Sequence, residues 1–199
     1  MIVVSDTTPL NYLILTESVH VLPGVFGRVY VPSAVVKELS HPKSPEAVRA
    51  FAASPPEWLT VRDPTRTDPT LRLGGGETAA IALAEELKAD WVLMDERKGA
   101  REAQSRGLRV VGTLTLLEEA GAKGLLDYER TRDRLVSGTT FYVAEEVLRE
   151  SERRYRERKQ LHELAGRKEP PSHPQPETKQ PERDKTRTQK RKRGREPEV

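Results

Sequence analysis

Four acidic residues, Asp6, Glu38, Glu77 and Asp95, stand where they could do chemistry together. Asp6 ends the apolar run Ile2-Val3-Val4-Ser5, and Asp95 ends Trp91-Val92-Leu93-Met94. Glu77 opens a helix-like run directly after Gly74-Gly75-Gly76. Glu38 lies on a short helix-like run after Val29-Tyr30-Val31-Pro32. In an open α/β sheet, strand C-termini and the helix starts that follow them converge on one crevice. Carboxylates gathered there repel one another unless a cation lies among them. Oxygen-only ligands suit Mg²⁺ or Mn²⁺. The chemistry indicated is metal-assisted cleavage of a phosphodiester.

Taken singly, each acid has an ordinary alternative role. Asp6 and Asp95 could cap the helices that follow them, Glu77 could sit in the positive first turn of its helix, and Glu38 could be a solvated helix residue. What favours a shared site is joint placement: Asp6 and Asp95 occupy the same position relative to two different strands that both read as buried.

The elements that must position these side chains follow from periodicity and punctuation. Met1–Ser5 reads as a buried strand. Thr8 and Pro9 supply an N-cap and a first helical position, ahead of Leu10, Leu13 and Ile14 at helical spacing. Residues 17–22 read as a short helical piece and Pro23-Gly24 as a turn. Arg28–Val31 is a second strand, followed by helices from Ser33 and from Glu46. Trp58–Val61 is a short extended run, and residues 62–72 are polar loop. From Gly74 onward strand and helix alternate: helix Glu77–Ala89, strand Trp91–Met94, helix Glu96–Arg106, strand Leu108–Val111, then helices Leu114–Ala122 and Leu125–Leu135. Thr140–Val143 reads as an edge strand or loop. A charged helix runs from about Ala144 to Leu164.

Composition divides the 199-residue chain. Hydrophobic residues make up only 35% and charged residues 33%, an average diluted by a polar segment. That segment is 167–199, rich in Pro and charge, with Val199 its only aliphatic. It cannot fill a core and is expected to be a disordered basic tail. The net charge of +3 is therefore uneven: the globule is acidic on balance and the basic excess lies toward the C-terminus, with Lys190-Arg191-Lys192-Arg193-Gly194-Arg195 its densest block. Such a block can release counterions from phosphate. It has no interleaved aromatics, so no base preference is expected of it.

Several function classes are excluded. The chain has no cysteine, which rules out disulfides, thiolate zinc sites and a cysteine nucleophile, and fits a cytoplasmic location. No apolar run approaches the roughly 20 residues of a membrane span. The start Met-Ile-Val-Val-Ser-Asp has no basic n-region and reads as a strand. A dehalogenase-type phosphatase needs a second Asp two residues after the first, and Thr8 stands there. Gly74-Gly75-Gly76-Glu77 lacks the Lys-Ser/Thr of a phosphate loop, and there is no G-x-S-x-G elbow. His20, His41, His162 and His173 are scattered, without metal-ligand spacing.

The arrangement resembles the PIN-domain family of Mg²⁺-dependent ribonucleases. It is closest to the predicted nucleic-acid-binding proteins related to toxins of type II toxin–antitoxin pairs. The residues that carry the resemblance are Val3-Val4-Ser5-Asp6-Thr7-Thr8-Pro9-Leu10, then Val31-Pro32 with Val35-Val36-Lys37-Glu38-Leu39. Gly76-Glu77-Thr78-Ala79-Ala80-Ile81-Ala82-Leu83-Ala84 comes next. Leu93-Met94-Asp95-Glu96-Arg97 with Ala100-Arg101 and finally Val110-Val111-Gly112-Thr113 complete it. It spans about residues 1–143, followed by a charged helix over 144–166 and the tail.

The resemblance implies an α/β fold, a three-layer α/β/α sandwich around a short central parallel sheet. It implies that Asp6, Glu38, Glu77 and Asp95 ring one or two Mg²⁺ or Mn²⁺ ions, Asp6 and Asp95 directly and the glutamates directly or through water. Many relatives carry Asp where this chain has Glu77. Thr7 and Thr113 could hydrogen-bond a carboxylate or the phosphate, or cap their helices. Lys98 and Arg101 could attract RNA backbone, or be solvated. The expected function is an endoribonuclease toxin whose candidate partners are RNA, a small antitoxin protein and a second copy of the chain. A catalytically inactive RNA- or protein-binding module and a Mg²⁺ phosphohydrolase of small substrates are the competing readings.

Overall fold

The computed structural model of the chain describes residues 1–166. The expected basic tail, 167–199, lies outside the described residues.

Five strands form one wholly parallel sheet: β1 (Ile2–Ser5), β2 (Arg28–Val31), β3 (Leu59–Val61), β4 (Trp91–Leu93) and β5 (Val110–Val111), in the order β3-β2-β1-β4-β5. The strands are short and aliphatic because both faces are buried. Val3 pairs with Val29 and Trp91, and Val4 with Tyr30 and Val92, so successive residues feed two separate cores.

On the Val3, Val29, Val31 and Leu93 face pack helices α1 (Thr7–Leu15), α2 (Leu22–Phe26), α3 (Ser33–Leu39), α4 (Glu46–Ala53), α7 (Thr113–Ala122) and α8 (Tyr128–Gly138). On the Val4 and Val92 face pack α5 (Gly75–Leu87) and α6 (Arg97–Ser105), through Ala80, Ile81, Leu83, Ala84 and Ala103. This is the three-layer α/β/α arrangement that the sequence implied.

The last helix, α9 (Glu145–Gly166), lies along α7. Glu118 of α7 is fully buried, and its carboxylate accepts hydrogen bonds from Ser151 Oγ (2.6 Å) and from Arg154 Nη2 (2.6 Å) and Nε (3.0 Å). Tyr128 OH lies 2.6 Å from Ser151 Oγ, and its ring stacks on Tyr155 with centroids 4.3 Å apart.

The differences from the periodicity are local. Pro23-Gly24 is no turn but part of α2, since Pro is tolerated in a first helical turn. Helix α1 begins at Thr7, one residue before the expected cap. Helix α5 begins at Gly75, because helical geometry needs no side chain to start. Residues 140–143 form loop, with Phe141 set edge-on against Tyr12 at 5.1 Å. Among the described residues no helix is long and apolar enough to cross a membrane.

Candidate functional site

The chain leaves β1 toward β2 on one side, and later places β4 on the other side of β1. The C-terminal edge beside β1 and β4 is therefore the switch point of the sheet, where two connections diverge and leave a crevice. Asp6 follows β1 directly and Asp95 follows β4 by two residues, so these adjoining strands carry both to that edge. The Asp6 N–H donates to Leu93 O at 2.9 Å, which extends the ladder up to the site.

Asp6 is 2% exposed. It stands at the N-cap of α1, yet its side chain makes no cap hydrogen bond, and Oδ1 is buried without any partner. Burial pushes its pKa up from 3.8 to about 7. The N–H dipoles of Thr7 and Thr8 oppose that rise, whereas the charges of Glu77 and Glu38 add to it. Asp6, Glu77 and Glu38 thus form one electrostatic cluster. The capping role that Asp6 could have played does not account for it.

Glu77 sits in the first turn of α5 and divides its two oxygens between tasks. Oε2 accepts the Gly74 N–H at 2.8 Å and closes the helix start. Oε1 is buried and has no partner. Glu38 reaches out from α3 and ties two other elements together. Its Oε2 accepts from the Thr7 hydroxyl, and its Oε1 accepts from the Gly76 N–H at 2.8 Å. It is exposed but not merely solvated.

Asp95 is engaged differently. Oδ1 accepts the Thr113 N–H at 2.7 Å and Oδ2 accepts the Thr113 hydroxyl at 2.6 Å. Burial pushes its pKa up, and both Thr113 bonds pull it back. Asp95 does not cap the helix after it. Glu96 is the N-cap of α6 and accepts from the Lys98 N–H.

Thr7 and Thr113 therefore both bind carboxylates in this structure. Thr113 is fully buried. Lys98 Nζ donates to the carbonyl of Arg72 in the loop leading to α5. Arg101 is exposed on α6, beside a shallow groove it lines with Glu96, Arg97 and Lys98.

Three glycines let these groups meet; Gly76 and Gly112 stood in the sequence as helix-start residues, whereas Gly99 was not singled out. A Cβ on Gly76 would lie 2.5 Å from Glu38 Oε2, one on Gly99 would lie 2.7 Å from Glu77 Oε1, and one on Gly112 would lie 3.1 Å from Asp95 Oδ1. Gly99 left a signal: glycine inside a helix costs about 1 kcal/mol against alanine, so its presence points to a close approach.

Among the described residues no group of three or more His, Cys, Asp or Glu side chains is arranged to hold an ion. The donor set nonetheless fits a hard divalent cation. Asp6 Oδ1 and Glu77 Oε1 are buried acceptors with nothing to accept from. An unpaired buried carboxylate oxygen is costly, and a cation bound between the two would offset that cost. Glu38 and Asp95 take one hydrogen bond on each oxygen, which leaves further lone pairs.

A protein-family model described as the PIN domain matches residues 2–157, a span that runs into α9. Among solved structures the chain is similar to a PilT N-terminus domain protein from the hyperthermophilic archaeon Sulfolobus solfataricus P2, at 18% identity and a TM-score of 0.43. That likeness covers 58% of this chain and 90% of the other. No curated protein matches.

Proposed function

The chain belongs to the PIN-domain family, and from that membership we propose that it is a divalent-metal-dependent endoribonuclease that hydrolyses RNA phosphodiester bonds, as the toxin of a toxin–antitoxin pair. PIN domains are generally nucleases and typically use divalent metals. The observation that carries the reading for this chain is the pair of buried, unpartnered oxygens, Asp6 Oδ1 and Glu77 Oε1, at the switch point of the sheet.

Asp6 and Asp95, with Glu77 and Glu38, would hold Mg²⁺ or Mn²⁺. What a bound divalent ion supplies there is activation of the attacking water and neutralisation of charge on the phosphate. Thr7 keeps Glu38 turned inward from α3. Lys98 and Arg101, on the helix that begins beside Glu77, would attract the RNA backbone as it approaches an acidic site.

The test is cleavage of a labelled single-stranded RNA by wild type and Asp6→Asn, with and without Mg²⁺ or Mn²⁺, alongside melting curves. Asn keeps the size of the side chain but removes the charge. The expected loss is about 10³-fold or more in rate. Wild-type-like cleavage by the folded variant would end the reading. The toxin role rests on the family resemblance, and co-purification with the product of a small neighbouring gene tests it.

One observation favours a second reading, a catalytically inactive RNA- or protein-binding module. Glu38 and Asp95 each have both oxygens hydrogen-bonded to the protein itself. Metal-independent RNA binding without cleavage on any RNA supplied with Mn²⁺ would select it.

A further inference from the structure

We propose that Thr113 is a positioning residue of the acidic site, which fixes the Asp95 carboxylate in the orientation that a bound divalent ion requires. The inference rests on the metal-nuclease reading above.

Thr113 is the first residue of α7, and Asp95 lies in the connection after β4. The register Leu93↔Val111 between β4 and β5 brings these two connections side by side. Thr113 then gives Asp95 both of its donors, one to each oxygen: N–H to Oδ1 at 2.7 Å and Oγ1–H to Oδ2 at 2.6 Å. One bond would leave the carboxylate free to rotate about its Cβ–Cγ axis. Two bonds from one rigid residue set its plane. Each oxygen keeps lone-pair capacity for a cation.

The approach is specific. A Cβ on Gly112 would press within 3.1 Å of Asp95 Oδ1, so a side chain at the N-cap would push the carboxylate aside by a few tenths of an ångström. The hydroxyl proton of Thr113 is committed to Asp95, and the residue is fully buried, so it does not reach a phosphate. Of the three roles the sequence left open, the geometry selects the carboxylate: the N-cap of α7 is Gly112, not Thr113. Partners of this kind, which bond a metal-holding carboxylate from behind, typically contribute 10- to 100-fold in metal affinity.

The deciding experiment titrates Mn²⁺ into the full chain by calorimetry, for wild type, Thr113→Val and Thr113→Ser, with metal-free melting curves beside each. Valine keeps the shape and the backbone N–H but has no hydroxyl. Serine keeps the hydroxyl. Thr113→Val is expected to weaken Mn²⁺ binding by about 10- to 100-fold, and Thr113→Ser to bind near the wild-type level. In an Asp95→Asn background, Thr113→Val should add nothing further, because the two residues act as one unit.

Mn²⁺ binding by Thr113→Val that equals or exceeds wild type, with only the metal-free melting temperature lowered, would overturn the proposal and leave Thr113 a helix-start residue. If the valine variant does not fold, Thr113→Ala takes its place with the same expectation. Wild type that binds no Mn²⁺ at all has a different signature: it overturns the metal reading itself and the proposal with it.

Discussion

Gly99 lets the first turn of α6 sit directly on Glu77: a Cβ at Gly99 would lie 2.7 Å from Glu77 Oε1 and 2.6 Å from Met94 Sδ. The contact joins the helix that follows Asp95 to the helix that carries Glu77. Both neighbours must give way if the space is filled, and the Glu77 oxygen concerned is one of the two buried ones without a partner.

Gly99→Ala is therefore expected to lower stability, although alanine is the better helix former. Helix propensity contributes about 1 kcal/mol in favour of alanine, and overpacking costs about 1–3 kcal/mol against it. The net loss in urea unfolding should be about 1 kcal/mol. Binding of Mn²⁺ should weaken as Glu77 Oε1 is displaced. A variant more stable than wild type with unchanged Mn²⁺ binding would show that the Glu77 carboxylate moves aside freely.

Asp6 should make the metal-free protein less stable as pH rises. Its folded pKa of about 7 lies above the ordinary 3.8, so the folded state holds its proton more tightly than the unfolded state. Stability from this group is complete below about pH 4, declines between about pH 4 and 7, and stays reduced above. The raised pKa of Asp95 acts in the same direction. With EDTA present, Asp6→Asn should be more stable than wild type to denaturant at pH 8 by an amount on the order of a few kcal/mol, and melt higher. The difference should vanish near pH 4. Added Mn²⁺ should raise the melting temperature of wild type only. A wild-type advantage at pH 8 in EDTA would mean that Asp6 is not a strained buried charge.

Arg154 should hold α9 to the body of the domain. Its guanidinium bonds both oxygens of the fully buried Glu118, whose other partners are Ser151 and, at a longer 3.6 Å, Arg158 Nε. Removing one member of a buried pair strands the other's charge. Arg154→Ala is expected to cost about 3 kcal/mol in denaturant unfolding, with Glu118→Leu/Arg154→Leu costing less. A loss within about 0.5 kcal/mol, typical of an exposed pair, would show that Arg158, 3.6 Å from Glu118 Oε2, or water compensates the charge once Arg154 is gone.

Much of the site was legible because it is local to strand ends. Ile2–Ser5 followed by Asp6, and Trp91–Met94 followed by Asp95, announce two buried strands that deliver acids to one edge of a parallel sheet, and the sheet does so. Glycines before Glu77 likewise announced a helix start, and Oε2 of Glu77 closes it. Hydrophobic periodicity specifies which residues are buried and in what kind of element, so these features needed no tertiary information. Helix ends were less legible at Thr7 and Gly75, where several residues can begin a helix at similar free energy.

What periodicity does not encode is which elements become neighbours. That Glu38 binds Thr7 and Gly76, and that Thr113 binds Asp95 instead of capping or meeting phosphate, are contacts between residues 18 to 38 positions apart. They exist only once the order β3-β2-β1-β4-β5 has placed α3 against α5 and β5 beside β4. The same order leaves Asp6 Oδ1 and Glu77 Oε1 buried without a partner. Residue type determined that acids stand at the sheet's edge. Packing alone decided which of their oxygens are satisfied by the protein, because hydrogen bonding depends on distances that no single element sets by itself.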